Sequence, residues 1–152
     1  VGVLRLGNRR VPDNVLIEAG GAPRCIAFLH VANANSVTAR LSNLNQLVMR
    51  HRQTQFFLMR DGFAPSIRSR GGMAAMEAFR NGGGDGRKRT FWRPLDHNRR
   101  VALEFAHQLV SDVLNRELDL PLARALELLA RHDPENWVVR LLHPASGSGR
   151  EI

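Results

Sequence analysis

The sequence predicts an α/β fold in which a mixed sheet of about five strands is flanked by helices. Short apolar runs at residues 15–17 and 25–31 are bounded by glycine and proline, as strands often are. A continuous apolar run at residues 55–59 is typical of a strand buried on both faces. Apolar residues recur at helical spacing in two other stretches, 36–51 and 96–131. Strands and helices therefore alternate along the chain, which is the order that builds a layered α/β domain.

The first half of the chain predicts three antiparallel strands followed by a helix. Residues 1–7 form the first strand and end in a Gly-Asn-Arg-Arg turn, and the runs at 15–17 and 25–31 form a hairpin through a Gly-Gly-Ala-Pro turn. Ser36 is a suitable N-cap because its hydroxyl can accept from the backbone N–H groups of a first helical turn. The helix that follows carries one apolar stripe, made of Val37, Leu41, Leu44, Leu47 and Val48.

The second half predicts two more strands separated by a helix, and then a pair of C-terminal helices. Asp96 caps the first helix of the pair, and Asp119 before Pro121 begins the second. We expect residues 1–95 to form the α/β core, the helices of 96–142 to pack on the same domain, and 143–152 to be a tail or linker. The predicted elements of this half are a strand at 55–59, a helix at 72–80, a strand at 90–95 and helices at about 97–117 and 121–132.

Positive charge is concentrated in the first part of the chain. Residues 1–93 hold 15 Lys and Arg against 5 Asp and Glu, a net charge of +10, whereas residues 94–152 hold 7 against 9, a net charge of −2. This asymmetry predicts an anionic partner, with nucleic acid first among the candidates and DNA favoured over RNA. Lys88 is the only lysine, and arginine suits bidentate contact with phosphate, although a GC-rich genome also produces an arginine-rich protein.

Composition and cysteine use predict a cytoplasmic protein. No segment approaches the ~18 apolar residues that a membrane-spanning helix needs, so we expect no membrane partner. Cys25 is the single cysteine, which fits a reducing compartment, and its apolar strand predicts a buried thiol. Because the chain begins without methionine or a signal peptide, we expect a domain of a larger prokaryotic protein, with other domains or subunits as partners.

Two arginine-rich loops are candidate phosphate-binding sites. The first follows the strand at 55–59, at the tip where α/β sheets tend to place ligand groups. The second follows a glycine-rich stretch and places cations beside Phe91 and Trp92, a mixture that suits single-stranded or distorted nucleic acid. The alternatives are a solvated turn in the first loop and aromatic side chains that belong to the core in the second. The candidate residues are Arg60, Arg68 and Arg70 in the first loop, and Arg87, Lys88, Arg89, Trp92 and Arg93 in the second.

The hairpin resembles the metal-binding hairpin of PD-(D/E)XK nucleases, which have a restriction-endonuclease-like fold. Pro12-Asp13 is similar to the PD element, and the apolar run at 25–30 is similar to the strand that ends in (D/E)XK. On this comparison Phe28 stands where the family has its second metal-binding carboxylate, and His30 stands where it has lysine. Phenylalanine cannot bind Mg²⁺, which prefers oxygen ligands. The resemblance therefore implies an inactivated nuclease fold that is kept for binding or scaffolding, with no cofactor.

Three functions follow from these observations. The first, which we favour, is a non-catalytic nucleic-acid-binding domain that holds the phosphate backbone through its arginine-rich loops. The second is a protein-interaction or scaffold module, in which the C-terminal helices dock on a partner or form a homodimer. The third is a Mg²⁺-dependent nuclease that would use Asp13, with Glu18 and His30 as further catalytic candidates. Each of these residues also has a structural alternative: Pro-Asp-Asn is common turn chemistry, and a histidine in an apolar strand is usually hydrogen-bonded in the core.

Overall fold

A computed structural model of the chain describes residues 2–11, 13–18, 21–82, 88–133 and 137. The predictions for Pro12, Arg87, residues 138–142 and the tail at 143–152 lie outside these residues. The described residues form strands and helices in the order β1 (Arg5–Leu6), β2 (Arg9–Arg10), β3 (Asn14–Ile17), β4 (Arg24–Phe28), α1 (Ala34–Arg50), β5 (Gln55–Asp61), α2 (Arg70–Arg80), β6 (Thr90–Leu95), α3 (His97–Leu114) and α4 (Leu122–His132).

The predicted α/β class is confirmed, with a four-stranded mixed sheet in the order β3-β4-β5-β6. β3 and β4 are antiparallel neighbours, so the predicted hairpin is present, and β4, β5 and β6 are parallel to one another. The sheet itself has four strands, where the sequence predicted about five. The first predicted strand is short and pairs with β2 in a separate two-stranded ribbon, while Gly2 forms a single bridge to Leu16.

Helices α1 and α2 connect the three parallel strands and pack on one face of the sheet. Crossover connections between parallel strands are almost always right-handed. Two such connections that step in the same direction across a sheet place both helices on the same side. The core confirms this arrangement, because the strand residues that pack with the helices all belong to one face of the pleat. They are Leu16 in β3, Cys25 and Ala27 in β4, Phe56 and Leu58 in β5, and Trp92 in β6.

The local sequence explains where the two helices begin. Asn33 caps α1 by accepting from the backbone N–H groups of Asn35 and Ser36, so the cap lies three residues before the predicted Ser36. Ser69 caps α2 in the same way, through Gly72. All five residues of the predicted α1 stripe are buried. These caps fix both helix N-termini at the carboxyl end of the parallel strands, where the functional candidates lie.

The chain divides into two compact units, residues 1–95 and 96–152. The second contains the predicted helical pair, in which Ala106 of α3 packs against Leu129 of α4. Phe105 of α3 is 58% exposed. The unit boundary coincides with the charge division, since residues 94 and 95 are uncharged and the first unit therefore carries the whole +10. No helix among the described residues is long and apolar enough to cross a membrane.

Candidate functional site

The hairpin places Asp13 beside Phe28, as the nuclease comparison implies. The backbone N–H of Phe28 donates to the carbonyl oxygen of Asp13 (2.8 Å), which fixes Asp13 at the carboxyl end of β4. Asp13 has φ 57°, a left-handed conformation that aspartate tolerates in turns. Its carboxylate forms an ion pair with Arg40 of α1, and both side chains are about one third exposed. Asp13 therefore has the predicted turn role, and its carboxylate is paired with the Arg40 guanidinium.

The other two candidates of the nuclease hypothesis do not join Asp13. Glu18 follows the far end of β3, about 17 Å along an extended strand, and its side chain is exposed. His30 is also exposed, so the alternative of a hydrogen-bonded core histidine is wrong. The His30 ring stacks on Phe28 instead, with ring centroids 5.4 Å apart. The hairpin thus offers one paired carboxylate next to two stacked rings.

This arrangement does not fit a divalent cation. Mg²⁺ requires oxygen ligands and keeps several waters, whereas the space beside Asp13 is lined by the Arg40 guanidinium, by Asn14 and Asn43, and otherwise by apolar side chains. The Asn14 amide is already bonded to the backbone of Leu4 and Val11. Among the described residues, no group of three or more His, Cys, Asp or Glu side chains could hold a metal ion. Cys25 is fully buried as predicted, and desolvation raises the pKa of its thiol to about 12.

Arg60 is held inside the fold at the carboxyl end of the sheet. It is only 5% exposed, and its guanidinium donates to the carbonyl oxygens of Leu29 (3.3 Å), Val31 (3.1 Å) and Pro65 (2.7 Å). Desolvation by burial lowers the pKa of this guanidinium from its ordinary value. Arg60 therefore joins the loop before α1 to the loop before α2, so its donors are engaged by the protein backbone.

Arg89 has the same role at the opposite, amino end of the parallel strands. It is 6% exposed and donates to the carbonyl oxygens of Val48 (2.6 Å), His51 (3.3 Å) and Gly82 (3.2 Å). These carbonyls belong to the ends of α1 and α2, where helical backbone acceptors lack intrahelical partners. Arg89 thus caps two helices at once.

The remaining predicted cations lie at three separate places in the first unit. Arg68 and Arg70 are exposed at the start of α2, at the carboxyl end of the sheet. Lys88 is exposed at the amino end, about 20 Å away along β6. Arg93 lies over the Phe91 ring on the sheet face opposite α1 and α2. The structure therefore brings Arg60, Arg68 and Arg70 to one end of the sheet and leaves Lys88 and Arg93 apart from them.

Trp92 lines an open cavity in the described part of the first unit. This α2–β6 groove has a volume of about 710 Å³, within the range of about 300–1,000 Å³ that is usual for ligand pockets. It lies between α2 and the edge strand β6, with the loop after β5 at one end. The groove is lined by Arg60, Asp61, Gly62, Ala64, Pro65, Ser66 and Ile67 of that loop and strand end, by Met73, Met76, Glu77, Arg80 and Asn81, and by Trp92 and Pro94.

Three side chains at these sites were missed from the sequence. Arg40 pairs with Asp13, Arg80 lines the α2–β6 groove, and Phe63 is 79% exposed beside groove residues Gly62 and Ala64. A signal existed for Phe63, because it follows Asp61-Gly62, a pair that is typical of turns, and turn residues tend to be exposed. Nothing in the spacing of Arg40 distinguishes it from a solvated helix residue.

Comparison with known proteins adds no relatives. No family model matches the chain, and no curated protein or solved structure gives a significant match. The resemblance to PD-(D/E)XK nucleases therefore stays a prediction from the sequence.

Proposed function

We propose that this chain binds nucleic acid without cutting it, and that the first unit holds the phosphate backbone with exposed arginines. The observation that carries the proposal is the net charge of +10 on residues 1–95, against −2 on the rest of the chain. Charge of one sign gathered in one compact unit attracts a polyanion from solution. Such binding uses side-chain cations and needs no metal or other cofactor.

The position of Arg68 and Arg70 supports the carboxyl end of the sheet as the contact surface. A helix N-terminus carries partial positive charge, so cations there oppose the helix dipole, by typically about 0.3–1 kcal/mol each. Arg70 is the first residue of α2, Arg68 precedes its cap, and the first turns of α1 and α2 contain no acidic residue. Folding stability does not explain this placement, whereas attraction of phosphate does.

The hairpin supports binding over cleavage. Cleavage of a phosphodiester by a metal-dependent enzyme requires carboxylates that are available to a cation. Here the Asp13 carboxylate pairs with Arg40, and its neighbour on β4 is the apolar Phe28. The same guanidinium supplies the positive charge that the carboxylate would otherwise need from a metal ion.

The test is a titration of a fluorescent DNA oligonucleotide by anisotropy at several salt concentrations. Binding should weaken steeply as salt rises, because bound cations release counterions from the phosphates. The double variant Arg68→Glu/Arg70→Glu should lose about 10-fold or more in affinity and reduce the salt slope by about 2. The matched control is Arg50→Glu/Arg52→Glu, which reverses two exposed arginines at the amino end and should cost less than about 3-fold. The proposal would be refuted if the affinity changed neither with salt concentration nor in the Arg68→Glu/Arg70→Glu variant.

A protein-interaction role remains the second candidate because α3 exposes large apolar side chains. Val101 is 49% exposed and Phe105 is 58% exposed, and they lie one helical turn apart. A dimer or a partner docked on this helix would bury them. Sedimentation of the full chain should then show a concentration-dependent dimer that Phe105→Glu abolishes, with no DNA binding at low salt. A monomer that binds DNA would instead favour the first proposal.

A further inference from the structure

The α2–β6 groove has a continuous helical wall. Met73, Met76, Glu77 and Arg80 follow the i, i+3, i+4, i+7 spacing of one helix face, and all four line the groove. From Met73 to Arg80 this wall extends over about 10 Å. Met73 is 52% exposed, so the wall presents a thioether to the open space. The wall therefore offers apolar side chains at Met73 and Met76 and charged ones at Glu77 and Arg80.

The opposite wall is formed by β6, which carries an indole. β6 is the outermost strand of the sheet among the described residues, and the bonds from Phe56 N to Arg89 O and from Gly62 N to Leu95 O show which β6 positions face β5. By alternation, the backbone groups of Trp92 and Pro94 point away from β5. Pro94 lacks an N–H donor, which blunts this edge against the addition of another strand. The wall thus favours side-chain recognition, through Trp92, over β-strand pairing.

Phe63 adds a second aromatic surface beside the groove, since it lies between the groove residues Gly62 and Ala64 in the chain without lining the groove itself. Its backbone N–H donates to the Asp61 carboxylate (2.9 Å), which closes a tight turn and presents the Phe63 ring outward with 79% exposure. The turn is tied to the fold, since Gly62 N donates to Leu95 O (3.0 Å) and Ala64 N donates to Asp61 O (3.0 Å). Because the Phe63 ring is exposed and its turn is fixed, the ring can stack against a planar group of a bound partner.

We propose that the α2–β6 groove binds unpaired bases of a single-stranded nucleic acid, which stack on Trp92 and Phe63. This inference rests on the proposed function. Aromatic faces beside a basic track are the general means by which proteins hold single strands, because every base has a π-face. Arg80 in the groove and Arg68 and Arg70 beyond its loop end supply cations for the adjoining phosphates. A duplex keeps its base faces stacked inside, so it reaches only the arginines.

The test compares a single-stranded oligodeoxynucleotide of about 10 nucleotides with the same sequence as a duplex. The full chain carries Trp137→Phe, so that the remaining indole, Trp92, is the only tryptophan reporter. The single strand should quench Trp92 fluorescence, and the duplex should not. Phe63→Ala should weaken single-strand binding by about 10-fold and leave duplex binding within about 2-fold. Because the Phe63 side chain is exposed, this variant should fold like the parent.

The outcomes separate this inference from the function on which it rests. Salt-dependent binding could be equal for single strand and duplex, with no change in Trp92 fluorescence and no loss of affinity in Phe63→Ala. That result would overturn the groove assignment and keep phosphate binding by Arg68 and Arg70. No binding of either DNA at low salt would overturn both. Trp92→Phe, which retains a stacking ring, should bind within about 3-fold of the parent, whereas Trp92→Leu should lose about 10-fold. An indole response to an amphipathic helical peptide, and none to DNA, would make the groove a protein-docking site and refute the inference.

Discussion

The two ends of the parallel strands use a buried arginine in different ways. At the amino end, Arg89 donates to carbonyl oxygens at the C-termini of α1 and α2. At the carboxyl end, Arg60 donates to carbonyl oxygens of the loops that precede the two helices. Each end therefore has one buried arginine that ties two crossover connections together. Each also has exposed cations, with Arg50 and Lys88 at the amino end, and Arg68 and Arg70 at the carboxyl end. The ends differ in the direction of the helix dipoles.

This difference separates structural charge from charge that is available to a ligand. At the amino end, cations lie near helix C-termini and are stabilised by the partial negative charge there. At the carboxyl end, Arg68 and Arg70 add to the positive potential of two helix N-termini. Exposed cations at the two ends can thus have opposite effects on stability. At the carboxyl end the helix dipoles and the exposed arginines act in the same direction, so an anion is attracted by both.

The largest effect should come from breaking the amino end. Arg89→Met removes a guanidinium from three carbonyl oxygens and leaves them buried without these donors, so the free energy of unfolding should fall by about 3 kcal/mol. Urea denaturation followed by circular dichroism measures the change. Arg50→Met, at an exposed position on the same end, is the control and should stay within about 0.5 kcal/mol. Equal, small losses in both variants would show that Arg89 does not hold the helix ends.

A second prediction tests how well the amino end excludes water. Cys25 lies at the start of β4, and burial raises the pKa of its thiol to about 12. The unfolded thiol loses its proton near pH 8.5 while the folded one keeps it, so stability is complete below that pH and declines as the pH rises toward 12. Between about pH 8 and pH 10 the loss should be about 1.5–2 kcal/mol. Cys25→Ala should abolish this part of the pH dependence, and an unchanged slope would show a hydrated thiol.

The sequence predicted the elements of this fold better than the roles of its arginines. The α1 stripe, the β3–β4 hairpin and the bounds of β6 depend on periodicity and turn residues, which are local properties. Arg60 and Arg89 were predicted to contact phosphate, yet both are buried against carbonyls that lie up to 41 residues away in the sequence. Local pattern cannot reveal such partners, because a guanidinium next to a strand looks the same whether it faces solvent or a helix end.

The groove was only partly visible in the sequence for the same reason. Trp92 was singled out because cations surround it in the chain, but most of those cations lie elsewhere in the fold. Its neighbours in the groove are Met73, Glu77 and Arg80, which come from a helix about 15 residues earlier. The parallel arrangement of β5 and β6 brings them together, and that arrangement follows from the crossover through α2.

A third prediction concerns the reversal of one charge at the carboxyl end. The free energy of unfolding and the DNA affinity should change in opposite directions. Arg70→Glu places a carboxylate in the first turn of α2, so the free energy of unfolding should rise by about 0.5 kcal/mol while DNA affinity falls about 5-fold. The mirror control is Arg50→Glu in the last turn of α1, which should lose about 0.5 kcal/mol with little change in affinity. The same sign for both variants in the denaturation assay would mean that the helix dipoles do not distinguish the two ends.

The smallest expected effect concerns the acidic side chain in the groove wall. Glu77 lies on the same helix face as Arg80, where its charge should repel a bound phosphate. At a separation of about 8 Å in water this repulsion is about 0.5 kcal/mol, so Glu77→Gln should tighten single-strand binding about 2-fold. Glutamine has nearly the same helix propensity as glutamate, which should leave the denaturation midpoint unchanged. Glu18→Gln removes an exposed carboxylate at the amino end and should leave the affinity as it is. If Glu77→Gln instead weakens binding, the carboxylate accepts a hydrogen bond from the bound strand, and the groove then recognises the amino groups of particular bases in addition to their faces.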